Sequence, residues 1–292
     1  MLDSGHLMSV AVALLLGVVQ GLTEFVPVSS TAHLYIAQAL LGIRNDAVAL
    51  SFDVVLHLGT AAALVLALGR ELGEILEEVF LLARGRPSRR PSARAMILPL
   101  VAGTIPGVIA GLFLLKKVES VRTLGLIGLS MLVACAYFLF AEWRGARNTR
   151  ERVLSEPTLS DALWIGVAQA AAGLMAGFSR SGFTISTGRV RGLDRGEAAR
   201  FSFLLALPII LGAGAKALLD LHKAPQPAVN SAALAAGFAS STVVGFIAVR
   251  FLLRFLKTNT LRPFALYLAV LGLLLLAVTY AKHLPLLAPL SR

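Results

Sequence analysis

Six ionisable side chains stand inside otherwise apolar segments of this 292-residue chain: Glu24, His33, Asp53, His57, Arg180 and Lys216. A charged group within a bilayer costs roughly 2.5–3.5 kcal/mol on insertion scales, so each needs a partner or a wet cavity. Gln20 and Glu24 are four apart, a spacing that puts both on one face of a helix. They form either a packing hydrogen bond or a carboxylate aimed at a metal ion or a proton, and their position just before Pro27-Val28-Ser29-Ser30 favours the second. Hydroxyls at a helix start often only cap it, which accounts for Ser29 or Thr31. Capping does not account for the imidazole of His33, and a hydroxyl beside an imidazole and a carboxylate has the makings of an activated nucleophile.

The sharpest element is Gly177-Phe178-Ser179-Arg180-Ser181-Gly182-Phe183-Thr184. Glycines let backbone amides approach a ligand, and a helix starting near Ser181 would point its positive end there. Ser179, Ser181 and Thr184 add hydroxyls, and Arg180 is the side chain that grips phosphate bidentately. Together they ask for a phosphate or diphosphate. Arg180 could instead bridge Glu24 structurally, and both readings hold if substrate opens the pair. Asp53 and His57, again four apart, read as groups that support and orient the others. Lys216 lies near the end of its apolar segment and snorkels.

These residues need an unusual scaffold. The chain is 57% hydrophobic and only 15% charged, with mean hydropathy +0.79. Soluble domains carry about 25% charged residues. The composition excludes disordered, collagenous and coiled-coil chains and points to an all-α polytopic membrane protein. Cys135 is the single cysteine, so no disulfide framework holds it. The net charge of +11 belongs to cytoplasmic loops and anionic headgroups rather than to nucleic acid. Met1–Leu7 carries no Lys or Arg, and the first apolar segment reads as mature structure rather than a signal peptide.

Six segments of about 20 residues fit bilayer spans: 48–69, 95–115, 123–141, 200–219, 231–251 and 263–282. Two more, 8–40 and 160–188, are interrupted by the polar motifs above. Free backbone groups survive at membrane depth only where protein or a polar cavity covers them, so both read as re-entrant helical hairpins. With both termini outside, inside segments hold 18 Lys and Arg against 7 outside, as the positive-inside rule asks. Gly17, Gln20, Ser30, Phe52 and Leu58 recur as Gly166, Gln169, Ser179, Phe201 and Leu207, all 149 positions on. One integral membrane domain over 1–292 follows, with halves of about 1–145 and 155–292. Each half has one hairpin and three spans, an odd number, so the second is inverted. Such repeats place their site at the repeat interface, here bringing Ser30 near Arg180. That architecture also suits a transporter or lipid flippase, the alternative reading, although a carrier needs no nucleophile.

The run from Gln20 to His33, Gln-Gly-Leu-Thr-Glu-Phe-Val-Pro-Val-Ser-Ser-Thr-Ala-His, resembles the first signature of the bacterial undecaprenyl-diphosphate phosphatases, the BacA-type bacitracin resistance proteins. Residues 177–186 resemble the second, and 201–208 also look like the family. Gln20 stands where Glu is common, and Ala176 where Pro is usual. The resemblance implies cleavage of a C55 isoprenyl diphosphate to the monophosphate and inorganic phosphate, recycling the lipid carrier of peptidoglycan synthesis on the outer face of the bacterial cytoplasmic (inner) membrane. It implies a divalent metal, Mg or Ca, at Glu24 and Gln20. Glu24, Ser30, His33 and Arg180 become the catalytic candidates, with the nucleophile Ser30, His33 or a water. Phosphate contacts fall to Ser29, Ser179, Arg180, Ser181 and Thr184, and Asp53 and His57 support and orient these groups. The expected partners are the isoprenyl diphosphate and membrane lipids, with no nucleic acid and with homo-oligomerisation left open.

Overall fold

The computed structural model describes residues 9–43, 47–113, 123–147, 157–223 and 230–281. The segments at both termini, on which the signal-peptide reading and part of the charge count rest, lie outside the described residues. Eleven α-helices run along the rest. They are α1 (Val10–Phe25), α2 (Ser30–Leu40), α3 (Ala47–Ala67), α4 (Gly69–Ala83), α5 (Pro91–Phe113), α6 (Leu124–Ala146), α7 (Leu159–Leu174), α8 (Arg180–Val190), α9 (Arg195–Lys223), α10 (Ser231–Phe255) and α11 (Arg262–Ala281).

Among the described residues five helices are long and apolar enough to cross a membrane: α5, α6, α9 over Arg195–Lys216, α10 and α11. The expected span at 48–69 corresponds to α3, and it reaches the sixth place only together with α4, from which it is bent by 82°. The stretch 70–94, between two of the expected spans, therefore contains a helix. Its 3.6-residue period hides among the charges. Glu78 faces inward and accepts from the backbone N–H of Arg89 (2.8 Å) and Arg90 (2.6 Å) and from Arg94 Nε (2.9 Å). Leu76, Val79, Phe80 and Leu82 stay exposed.

Both interrupted segments fold as helix, break, helix. The first arms, α1 and α7, have 16 residues each, about 24 Å at 1.5 Å per residue. That falls short of a hydrocarbon core of about 30 Å. Ser9 caps α1 by accepting from Val12 N–H, and Thr158 with Asp161 forms a capping box on α7. In the first segment, α2 folds back so that Leu34 and Ile43 join Ala13 and Leu16 in one apolar cluster. Each first arm packs on a span from the other half of the chain, α1 on α10 and α7 on α5.

Small residues permit these contacts, as expected where helices meet without a hydrophobic driving force. A Cβ on Gly21 would stand 2.8 Å from both Gly245 N and Ser241 O of α10. A Cβ on Gly166 would stand 2.2 Å from Gly103 O of α5. Both obstacles are backbone atoms, which cannot rotate away. Gly21→Ala is accordingly expected to cost about 1–3 kcal/mol by overpacking, read as a lower Tm of the purified protein. An unchanged Tm would mean that α1 and α10 are not held this closely. Glu142 of α6 accepts from Arg195 Nη2 (2.6 Å) and Leu261 N–H (2.8 Å), tying α6 to the starts of α9 and α11.

Candidate active site

Pro27 ends α1. Its ring removes an N–H and biases the preceding residue away from the helical region, and Val26 is accordingly extended at φ −62°, ψ 134°. Two residues on, Ser29 takes φ 72°. It is the one non-glycine residue with positive φ among those described, in a region that costs a side chain of order 1–3 kcal/mol. What holds it there is visible. Ser29 Oγ donates to the carbonyl of Ala176 (2.8 Å) in the second break, and Ser29 O accepts from His33 N–H (3.2 Å) and bonds His33 Nδ1 (2.8 Å). The two interruptions, 147 positions apart, therefore touch. In the second break Gly177 is needed for clearance, since a Cβ there would stand 2.3 Å from Ile127 O.

Glu24 lies in the last turn of α1 and is buried. Its Oε2 accepts from Gln20 Nε2 (2.9 Å) and from Ser30 Oγ (2.6 Å) and lies 3.7 Å from His57 Nε2. Its Oε1 accepts from Arg180 Nη2. One carboxylate thus gathers a side chain from the second break, a hydroxyl from the first, an amide and an imidazole. Arg180 opens α8, whose N-cap Ser179 accepts from Gly182 N–H (3.2 Å). Glu24, Ser30, His57, Ser179 and Arg180 share a cavity of about 210 Å³ whose other walls include Ile127, Ile209 and Ile210.

The remaining residues singled out in the sequence take other positions. Thr184 Oγ1 donates back to the carbonyls of Arg180 (2.8 Å) and Ser181 (3.0 Å) and meets Ser202 Oγ. Ser181 Oγ faces Ser179 Oγ at 3.2 Å. The Thr184 and Ser181 side chains are buried and, unlike Ser179, do not line the cavity. His33 has both ring nitrogens engaged, Nδ1 at Ser29 O and Nε2 at the hydroxyl of Tyr267 on α11 (2.6 Å). His57, expected as outer support, reaches the cavity itself, with its Nδ1 at Asp53 O (2.7 Å). Asp53 accepts from Gln38 Nε2 (2.7 Å). Tyr267 and Gln38 carried no motif in the sequence, and Ser202 lay within the family-like stretch 201–208 without being singled out. Tyr267 is one of two phenols in its span, with Tyr280, and no local pattern sets it apart.

Electrostatically, the cavity pairs one carboxylate with one guanidinium under low exposure, 5% and 18% for the two side chains. A buried pair of this kind costs desolvation that its attraction barely returns. An anion that takes over Arg180 leaves the Glu24 carboxylate to Gln20, Ser30 and His57. For a metal, no group of three or more His, Cys, Asp and Glu side chains converges among the described residues. A magnesium-type site needs less, one or two carboxylates completed by substrate phosphates. Gln20 Oε1 is a buried acceptor without a hydrogen-bond partner, beside Glu24. One carboxylate and one free amide oxygen are the donors the chain itself offers such a site.

The family model described as bacitracin resistance protein BacA matches residues 13–274. A protein from Rubrobacter xylanophilus named undecaprenyl-diphosphatase is 42% identical over 268 residues, covering 91% of this chain and 97% of its own. Proteins of the same name from Pelotomaculum thermopropionicum and Geotalea daltonii are 39% and 38% identical, covering 94% and 90% of this chain and 99% and 96% of theirs.

Proposed function

This chain belongs to the bacitracin resistance protein BacA family, and from that premise we propose that it hydrolyses undecaprenyl diphosphate to undecaprenyl phosphate and inorganic phosphate. It is a multi-pass membrane enzyme, and the reaction recycles the lipid carrier of the cell wall. The observation that carries the site assignment is the convergence of Ser30 and Arg180, one from each break, on the Glu24 carboxylate.

In the proposed reaction the diphosphate enters the cavity and draws Arg180 from Glu24 onto its own oxygens. Arg180 then neutralises charge on the transferring phosphoryl group, supported by Ser179 and the start of α8. Released from Arg180, Glu24 is a stronger proton acceptor. Ser30 Oγ, already donating to Glu24, gives it the proton and attacks the terminal phosphorus. The P–O–P bond breaks and undecaprenyl phosphate leaves. Glu24 passes that proton to the departing phosphate; water then loses a proton to the freed carboxylate and attacks the phosphoserine, and Glu24 returns the proton to Ser30 Oγ as inorganic phosphate leaves. A divalent cation would be held by Glu24 and Gln20 Oε1 and would supply Lewis-acid neutralisation of the diphosphate. Ser181, Thr184 and Ser29 shape the wall and the break around these groups, and Asp53 steadies His57 through the turn they share.

The repeat is part of the same reading. Two inverted halves, about 1–145 and 155–292, make one membrane unit, supported by the packing of each first arm on the other half. The excess of Lys and Arg on one side supports both termini outside and a site facing outward from the bacterial cytoplasmic membrane. A reporter active only in the cytoplasm, fused after Arg292, is expected to stay silent, and a strong signal would reverse the orientation.

The activity is tested by phosphate release from undecaprenyl diphosphate by purified protein in detergent. Release is expected, abolished by excess chelator and restored by magnesium. Tight lipid binding without release would favour a carrier. Full release in chelator would leave Glu24 a proton acceptor alone.

A further inference from the structure

His33 sits three residues after Ser30, close enough in sequence to be its base, yet its bonds direct it elsewhere. Nδ1 lies 2.8 Å from a backbone carbonyl, which can only accept, so Nδ1 carries the hydrogen. In a neutral imidazole Nε2 is then the acceptor. Tyr267 O–H therefore donates to Nε2 at 2.6 Å, with the two rings stacked 5.7 Å apart and 17° from parallel. Neither nitrogen is left for the Ser30 hydroxyl, which donates to Glu24.

The bonded chain runs from Tyr267 through His33 to Ser29 O, and from Ser29 Oγ to Ala176 of the second break. Its middle member is the residue with strained backbone, φ 72°. Strained conformations at a site persist only where their surroundings over-determine them. The imidazole supplies part of that determination, and the phenol fixes the imidazole's tautomer and rotation.

We propose that Tyr267 is a positioning residue for this reaction, acting through His33 to hold the Ser29–Ser30 peptide so that Ser30 Oγ stays on Glu24. The proposal rests on Ser30 being the reacting hydroxyl. It makes the histidine a brace rather than a base, and brings α11, distant in sequence from both motifs, into the catalytic apparatus.

The test is a double-mutant cycle on the full-length protein in detergent, with Tyr267→Phe, His33→Gln and the double variant, read as phosphate release from undecaprenyl diphosphate. Tyr267→Phe is expected to lower kcat about 10-fold with KM within about twofold. In the His33→Gln background the same change is expected to alter kcat less than about twofold, because the member it acts through is already gone. Fully additive losses, or wild-type kcat in Tyr267→Phe, overturn the proposal. Should His33→Gln be too slow to measure, nitrogen NMR of ¹⁵N-histidine-labelled protein decides. Nδ1 of His33 should be protonated, and the unprotonated Nε2 resonance should shift in Tyr267→Phe. A resonance indifferent to Tyr267 overturns the proposal. Wild-type protein that releases no phosphate defeats the phosphatase reading itself, whereas active wild type with an indifferent Tyr267→Phe defeats this inference alone.

Discussion

Glu24→Gln is expected to lower kcat by about 10³-fold, within the range for loss of a general base, while KM stays level or falls. The split follows from the geometry. The carboxylate is the acceptor of the Ser30 proton and also the group that occupies Arg180 before substrate arrives. An amide of the same shape can accept a hydrogen bond from Ser30 but cannot take its proton. It also binds the guanidinium more weakly, so the diphosphate meets less competition. Steady-state kinetics on the purified variant reads both parameters. A rise in KM with unchanged kcat would make Glu24 a binding residue and remove it from the proton transfer.

Arg180→Lys should lose at least about 10²-fold in kcat/KM, near 3 kcal/mol of transition-state stabilisation, because an ammonium keeps the charge but not the planar fork. Arg180→Ala should lose more and still fold. Glu24 would keep Gln20 and Ser30 as donors and His57 at 3.7 Å, so the buried carboxylate is not abandoned. A purely structural ion pair gives the opposite order. Arg180→Ala would then misfold, with the buried carboxylate stranded, and Arg180→Lys would keep fold and activity. Expression level, thermal unfolding and phosphate release on the two variants separate these accounts, and near-normal activity in Arg180→Lys would remove the phosphate-clamp role.

Local spacing made much of this legible from sequence. Gln20 and Glu24, four apart, do share a helix face and a hydrogen bond. Pro27 and the hydroxyl run did mark a break, and Ser30 and Arg180, expected near each other, both bond one carboxylate. Apolar runs of bilayer length revealed five spans, since length and hydropathy are properties of a segment alone. What stayed hidden depends on a second element or on side-chain direction. Leu68, where α3 turns into α4, has no proline or glycine run to announce an 82° bend. Thr184 looked like a phosphate ligand by type, yet its hydroxyl turns back onto its own helix. His57 looked peripheral by position, yet the packing of α3 brings it to Glu24. Tyr267 stands 234 positions from the histidine it touches, beyond any local pattern.

The most direct measurement of the central claim is a ³¹P NMR time course of undecaprenyl diphosphate with the purified full-length protein, run beside Ser30→Ala. With Ser30, Glu24 and Arg180 acting together on the terminal phosphorus, the paired diphosphate resonances should give way to equal amounts of lipid monophosphate and inorganic phosphate. In Ser30→Ala they should persist. Inorganic diphosphate as the product would mean cleavage at the lipid carbon, and unabated conversion by Ser30→Ala would mean a different nucleophile. Either result would contradict the site assembled here from the two breaks.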